Sequence, residues 1–377
     1  MGQLISVGIT GQGGFMGTHL HNFLGTKSEK INRLNFQDNY FDNEVDLQNF
    51  VKSCDVIVHL AAVNRHEDEQ VIYNTNIGLV KKIINACEAT NSTPKIIFSS
   101  STQEQKDNLY GKSKRDGRKY FEAWAIKNSC RVLSLIIPNV FGPFGKPFYN
   151  SVIATFSYQI IAGEQPTIIN DSTVNLIYIN ELSQMFYDKI LAEGNENINS
   201  YLVPYTSSRK VSEILDLLKV FKIQYLENGQ VPKVDLNTFE LDLFNTFTSF
   251  IPKDYFPRKF INHTDDRGAF VEIMRAGSSG QTSYSTTVPG ITRGNHYHTR
   301  KIERFAVISG KASIQIRKID SDEVFEYILD GAEPSYVDMP IWYTHNIKNI
   351  GNTELITLFW INEPYNPEDA DTYFINV

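Results

Sequence analysis

Apolar positions in the first half of the chain fall into short unbroken runs separated by stretches of helical period. Runs at residues 4–9, 56–60, 95–98 and 131–137 alternate with helical patterns around 76–88 and after Tyr110. Continuous apolar strands alternating with helices predict a doubly wound parallel sheet, α/β in class, whose ligands sit at the carboxyl ends of the strands. Those ends are polar here: AAVNR at 61–65, SSST at 99–102 and PNVFGP at 138–143. Residues 150–163 then read as a helix, 175–182 as a strand entering a helix capped by Asn180, and 211–221 as a core helix. Near Asp242 the pattern changes. Residues 243–264 are aromatic, carry two prolines and show no long period, which predicts a packed connection. From Asp265 onward, short strands separated by turns (QTSYSTT, ERFAVIS, KASIQIR, SYVDM, LITLFW) predict an all-β antiparallel sandwich or barrel with a mouth. The pattern therefore divides the chain into a first domain at 1–243, a connection at 244–264 and a second domain at 265–377.

Composition narrows the picture. A chain of 377 residues is long enough for two separate cores, and its net charge of -7 argues against a nucleic-acid surface. No apolar stretch is long enough to span a bilayer, so no membrane partner is expected. Three scattered cysteines, Cys54, Cys87 and Cys130, form no CxxC and suit a reduced cytoplasmic setting.

The first strand runs into TGQGGFMG, where Gly11, Gly14 and Gly17 make the T-G-x-x-G-x-x-G turn between a strand and a helix. Glycine there allows a tight turn, close approach of a pyrophosphate and packing of helix on strand, with the phosphates at the positive end of the helix. Tyr110 and Lys114, four apart in YGKSK, share one helix face. An ammonium beside a phenol is expected to lower the phenol's pKa, so that it exchanges a proton with a substrate oxygen. A hydroxyl at the end of the preceding strand would hold the same oxygen: Ser101, with Ser100 as the alternate. The motifs TGxxGxxG, HLAA, FSSS, YxxxK and PNxFGP resemble the extended short-chain dehydrogenase/reductase family and its nucleotide-sugar members. That resemblance implies Tyr110 as acid/base, Lys114 on the nicotinamide ribose, Ser101 on the substrate oxygen, and Gly11, Gly14, Gly17 and Ala61 against the cofactor. Asn139, Asn150 and Ser151 are candidate contacts for the nucleoside diphosphate. After the second strand, INRLNFQDNYF offers neither a clear acid for a ribose diol nor an unambiguous arginine for a 2′-phosphate, although Arg33 is close; NAD and NADP both stay open.

The second domain carries its own chemistry. In GITRGNHYHTRKIERFAVISG, His296 and His298 are two apart and share a strand face, Glu303 opens the next apolar run, and His345 follows in MPIWYTHNIKN. Three imidazoles and a carboxylate suit Zn, Fe, Ni or Mn. The spacing G-x5-H-x-H-x4-E-x6-G followed by P-x4-H-x3-N resembles the paired motifs of the cupin superfamily, with Trp342 where that family usually has glycine. DDRGAF (265–270) and ITRGNHYH further resemble keto-sugar epimerases, and Tyr343 and Tyr284 are candidate proton donors.

Domain order, metal-site spacing and the segment WINEPYNPEDADTYF resemble the CapF-type bifunctional capsular polysaccharide enzymes, UDP-2-acetamido-2,6-dideoxy-L-talose synthases. The resemblance implies NADPH in the first domain, zinc in the second, a UDP-linked 4-keto amino sugar as substrate and a homodimer. It also implies that the cupin epimerises C3 before the first domain reduces C4. The competing reading is a one-step nucleotide-sugar reductase or epimerase whose cupin serves only binding or oligomerisation.

Overall fold

A computed structural model describes residues 4–192, 197–235, 238–266, 268–274 and 280–377, with the backbone alone for 265 and 268–270. Arg267 of the DDRGAF stretch lies outside the described residues. The chain forms two compact units, one of residues 1–152 and 171–211, the other of residues 153–170 and 212–377.

In the first unit β1 (Ile5–Thr10), α1 (Phe15–Gly25), β2 (Ile31–Leu34), α2 (Glu44–Ser53), β3 (Val56–His59), α3 (Glu69–Thr90), β4 (Lys95–Ser101), α4 (Leu109–Asn128) and β5 (Val132–Ile137) alternate as the apolar pattern predicts. The chain continues through β6 (Asn139–Phe141), α5 (Val152–Ile161), β7 (Thr173–Tyr178), α6 (Ile179–Leu191), β8 (Ile198–Leu202), β9 (Ser207–Lys210) and α7 (Val211–Phe221), of which α5 and α7, after their first residues, belong to the second unit. Six strands form a parallel sheet in the order β2-β1-β3-β4-β5-β8. Helices cover such a sheet on both faces, so consecutive residues of a central strand are buried alike. Ile57 and Val58 are fully buried, as are Ile96 and Ile97. Helix α6 departs from expectation: its cap is Tyr178, whose N–H is accepted by the Glu181 carboxylate at 3.2 Å, and Asn180 lies inside the helix.

The second unit adds α8 (Phe239–Thr248), where no regular element was expected. The Thr238 hydroxyl caps it by accepting the Leu241 N–H at 3.3 Å, while Leu243, Phe244 and Phe247 turn inward. Phenylalanine and threonine favour strands in isolation, and here tertiary packing of Phe244 on Phe221, ring centroids 5.2 Å apart, overrides that preference. Strands then follow: β10 (Arg258–Lys259), β11 (Asn262–Asp265), β12 (Gly268–Val271), β13 (Gln281–Thr287), β14 (Thr292–Tyr297), β15 (Glu303–Ser309), β16 (Lys311–Lys318), β17 (Val324–Asp330), β18 (Ser335–Met339), β19 (Tyr343–Asn349), β20 (Leu355–Ile361) and β21 (Tyr373–Phe374). They pair antiparallel in two five-stranded sheets, β10-β18-β15-β20-β13 and β17-β16-β19-β14-β21, with β11 and β12 as a separate ribbon. This is the all-β, cupin-like region that the short alternating strands predict.

Candidate active site and candidate metal centre

In the first unit two glycines of the β1–α1 turn, Gly11 and Gly17, are required by contact. Gly11 has φ +70°, and a Cβ there would come within 2.8 Å of the Ala61 backbone; a Cβ on Gly17 would lie 2.1 Å from the Gly11 carbonyl oxygen. The Gly14 N–H donates to that same carbonyl at 3.0 Å, and the first turn of α1 carries no acidic side chain against its positive end. Backbone packed this closely leaves no room for a side chain at Gly11 or Gly17.

Lys114 of α4 lies between the Ser99 carbonyl of β4 and the Tyr110 ring, with Ser100 and Ser101 following Ser99 at the end of the strand. Lys114 is buried at 4 % exposure, donates to the Ser99 carbonyl at 2.9 Å, and stands 5.8 Å from the centre of the Tyr110 ring. Burial lowers Lys114 to about 8 despite the opposing charge of Glu104. Tyr110 is pushed up to about 12, by burial first and then by Tyr149. The expected lowering of the phenol is thus reversed in the protein alone, because desolvation of the phenolate outweighs an ammonium held by a backbone carbonyl. Asn76 ties this region together: its side chain accepts the Val63 N–H at 2.7 Å and donates to the Ser113 hydroxyl at 2.9 Å.

Sequence reasoning passed over Glu104. It is buried, its carboxylate accepts the Ser100 hydroxyl, and Arg118 grips both of its oxygens, at 2.8 Å from Nη2 and 3.1 Å from Nε. Ser100 is therefore engaged within the protein. Among the described residues Ser101 accepts the Gln103 N–H at 3.2 Å and its hydroxyl donates to no protein group. Nothing local marks Glu104, since Arg118 is fourteen residues away. Asn139 donates to the Asn175 carbonyl at 3.2 Å; Asn150 is exposed and Ser151 half-buried. Arg33 donates to the His21 carbonyl at 2.8 Å.

In the second unit β14 and β19 belong to one sheet and β15 to the other, and their side chains converge. The donor atoms of His296, His298, Glu303 and His345 lie within 4.8 Å of one another. A bulge makes this possible. Asn295, at φ +63°, is an extra residue between the pairs Gly294↔Asn346 and His296↔His345, so two histidines stand directly opposite each other. Glu303 Oε2 sits 2.9 Å from His345 Nε2, 3.4 Å from His298 Nε2 and 3.9 Å from His296 Nε2. His298 Nε2, His345 Nε2 and Glu303 Oε2 are nonetheless buried without a hydrogen-bond partner, since none of these approaches has hydrogen-bond geometry. The other ring nitrogens are engaged: His298 Nδ1 donates to the Asp371 carbonyl at 2.6 Å and His345 Nδ1 to the Tyr343 carbonyl at 3.2 Å. For His298 and His345 that pattern leaves Nε2 as a lone pair beside Glu303 Oε2, an arrangement a divalent cation satisfies.

Burial pushes the Glu303 carboxyl upward, yet three facing imidazoles outweigh it and hold the group well below the usual carboxylate range. Burial lowers His345. It also opposes a charge on His298, but Glu303 and Asp371 carry that imidazole above its ordinary value. Trp342, fully buried, adopts φ +63°, the left-handed conformation in which glycine is usual, and donates its N–H to the His298 carbonyl at 2.7 Å. The turn geometry thus survives the larger side chain. Tyr343 is buried beneath Lys253, whose Nζ lies 3.8 Å from the ring centre, whereas Tyr284 is 71 % exposed.

Comparisons with known proteins agree with both halves. A profile described as the NAD dependent epimerase/dehydratase family matches residues 7–199, and one described as a polysaccharide biosynthesis C-terminal domain matches residues 263–373. The chain is 33 % identical over 336 residues to the UDP-2-acetamido-2,6-beta-L-arabino-hexul-4-ose reductase of Pseudomonas aeruginosa, covering 88 % of this chain and 89 % of that protein. A crystal structure of the capsular polysaccharide assembling protein CapF from Staphylococcus aureus superposes with TM-score 0.62 at 34 % identity, over 99 % of this chain and all of that one. The chain belongs to the CapF-type branch of the NAD dependent epimerase/dehydratase family. The spore coat polysaccharide biosynthesis protein SpsL of Bacillus subtilis is 27 % identical over 124 residues, 30 % of this chain and 82 % of that protein. As a member of this family the chain uses a nicotinamide cofactor. Among the described residues no helix is long and apolar enough to cross a membrane.

Proposed function

We propose that this protein converts a UDP-linked 2-acetamido-2,6-dideoxy-4-ketohexose in two steps, giving UDP-2-acetamido-2,6-dideoxy-L-talose. The second unit inverts C3 and the first reduces C4 with NADPH. The observation that carries the reading is near full-length similarity to a reductase named for such a 4-ketosugar, in a chain that retains both the Tyr110–Lys114 pair and the His296–His298–Glu303–His345 cluster.

A 4-keto group acidifies the hydrogen on C3, so removal of that proton and its return from the other face inverts the carbon. NADPH supplies a hydride for C4, and zinc, held by the three Nε2 atoms and Glu303 Oε2, supplies Lewis acidity or a structural tie. Tyr110 gives its proton to the C4 oxygen as the alkoxide forms. A phenol kept protonated by burial suits the acid's role in the reducing direction. Ser101 donates to the same oxygen and fixes the ketone face, and Lys114, anchored on the Ser99 carbonyl, holds the ribose hydroxyls beside it. We assign the protein to the cytoplasm and to a homodimer on the same resemblance.

The test is NMR of the purified protein with the UDP-4-ketosugar in deuterium oxide, without nicotinamide. Deuterium entering at C3, and abolished by His298→Ala in a folded protein, is the expected result. No exchange in the wild type would leave a one-step reductase with a non-catalytic cupin.

A further inference from the structure

Three of the four clustered side chains are histidines, and the residue next to each is hydrogen-bonded by one short segment, residues 370–377. Asp371 does most. Its carbonyl accepts His298 Nδ1 at 2.6 Å, while its carboxylate accepts the Thr299 hydroxyl at 2.7 Å, the Thr299 N–H at 3.1 Å and the Arg300 N–H at 3.0 Å. One residue can face both ways because it adopts φ +45°, a conformation uncommon outside glycine and tolerated by aspartate. Further along, the Ile375 N–H donates to the Asn295 carbonyl at 3.1 Å and the Val377 N–H to Asn295 Oδ1 at 3.4 Å; Asn295 is the bulge residue before His296. The Thr344 hydroxyl, beside His345, donates to the Ile375 carbonyl at 2.6 Å. Strand β21 closes the pattern by pairing with β14 at His296↔Phe374 and Tyr297↔Tyr373. The segment is itself anchored. Lys301, at 1 % exposure, donates to the Ala370 carbonyl at 2.9 Å, and Arg317 donates to the Asn376 carbonyl at 2.6 Å.

From this we infer that residues 370–377 form a positioning strap for the metal centre, with Asp371 as its principal contact, so that metal occupancy and order of the strap are thermodynamically linked. The inference rests on the metal reading above and adds which residues set its affinity. Partners that orient a metal-bound imidazole ordinarily matter 10–100-fold in affinity, and Asp371 orients His298 while fixing the two residues after it. Linkage is reciprocal, so whatever factor the ordered strap adds to metal binding, bound metal adds to strap order.

Two measurements on the full chain test it. Zinc affinity is read by competition with a chromophoric chelator for wild type, Asp371→Ala and Asp371→Asn. Amide hydrogen exchange at Ile375 and Val377 is read in wild type with and without zinc. The expected result is a loss of about 10–100-fold in affinity for Asp371→Ala, a smaller loss for Asp371→Asn, whose side-chain oxygen still accepts from Thr299, and slower exchange at both amides when zinc is present. Wild-type protein that binds zinc while Asp371→Ala matches it and exchange ignores zinc overturns the strap and leaves the metal reading standing. Wild-type protein that binds no zinc overturns the metal reading, and the strap with it. Should Asp371→Ala fail to fold, the exchange comparison decides alone, because it needs no variant.

Discussion

Ser100 turns its hydroxyl into the protein, onto the buried Glu104 carboxylate, whereas Ser101 keeps its proton available beyond the end of β4. Residue type could not separate these two neighbours; the position of Glu104 does. Ser101→Ala is expected to lower kcat for ketosugar reduction on the order of 100-fold, as loss of one donor to a developing oxyanion does. Ser100→Ala is expected to cost about 1 kcal/mol of stability with little change in kcat, read by urea unfolding and steady-state kinetics. Equal kinetic losses in the two variants would refute the assignment. Lys114 makes a second prediction, about pH. Burial sets its folded pKa at about 8, below the ordinary 10.5, so between those values the unfolded chain holds a proton that the folded chain has shed. Stability from this group is therefore absent below about pH 8, grows as pH rises, and is complete above 10.5. Denaturation across pH 7.5–10.5 should show that rise in wild type and a shallower one in Lys114→Met; identical slopes would mean that Lys114 is more solvated than the structure places it.

Strands and helices with a strong period were legible in sequence because each buries a continuous face: β1, β3, β4, β5 and β15 as apolar runs, β16 as an alternation. Features that depend on partners far along the chain were not. Helix α8 was hidden by aromatic residues whose preference is set by packing on Phe221. The Asn295 bulge was hidden because it exists only against β19, and the metal-site spacing looked like plain strand. Asp371 and Glu104 act 73 and 14 residues from the groups they hold, so no local pattern could mark them. The β1–α1 turn is the opposite case, since its chemistry is local and its glycines were read directly. Gly17→Ala would drive a methyl to 2.1 Å from the Gly11 carbonyl oxygen, and the turn must open. Nicotinamide binding is expected to weaken at least about tenfold, roughly 1.4 kcal/mol, in a fluorescence titration, while zinc binding is unchanged. Undiminished cofactor binding would show that the turn is not the phosphate site.

At the scale of the molecule, each proposed step has its residues within a single compact unit: Ser101, Tyr110 and Lys114 in the first, the histidine–glutamate cluster in the second. Tyr110→Phe should therefore keep C3 exchange and lose reduction, and His298→Ala should lose exchange and keep the capacity to reduce a ketosugar already inverted at C3. A mixture of the two variants then contains one intact copy of each step on different chains. Supplied with the uninverted ketosugar and NADPH, the mixture should make the reduced talose product that neither variant makes alone, at a rate rising with protein concentration because the intermediate must travel between molecules. Oxidation of NADPH at 340 nm measures it. If His298→Ala reduces the pre-inverted sugar yet the mixture stays silent, inversion and reduction are coupled within one chain, and the division of labour between the two units is wrong.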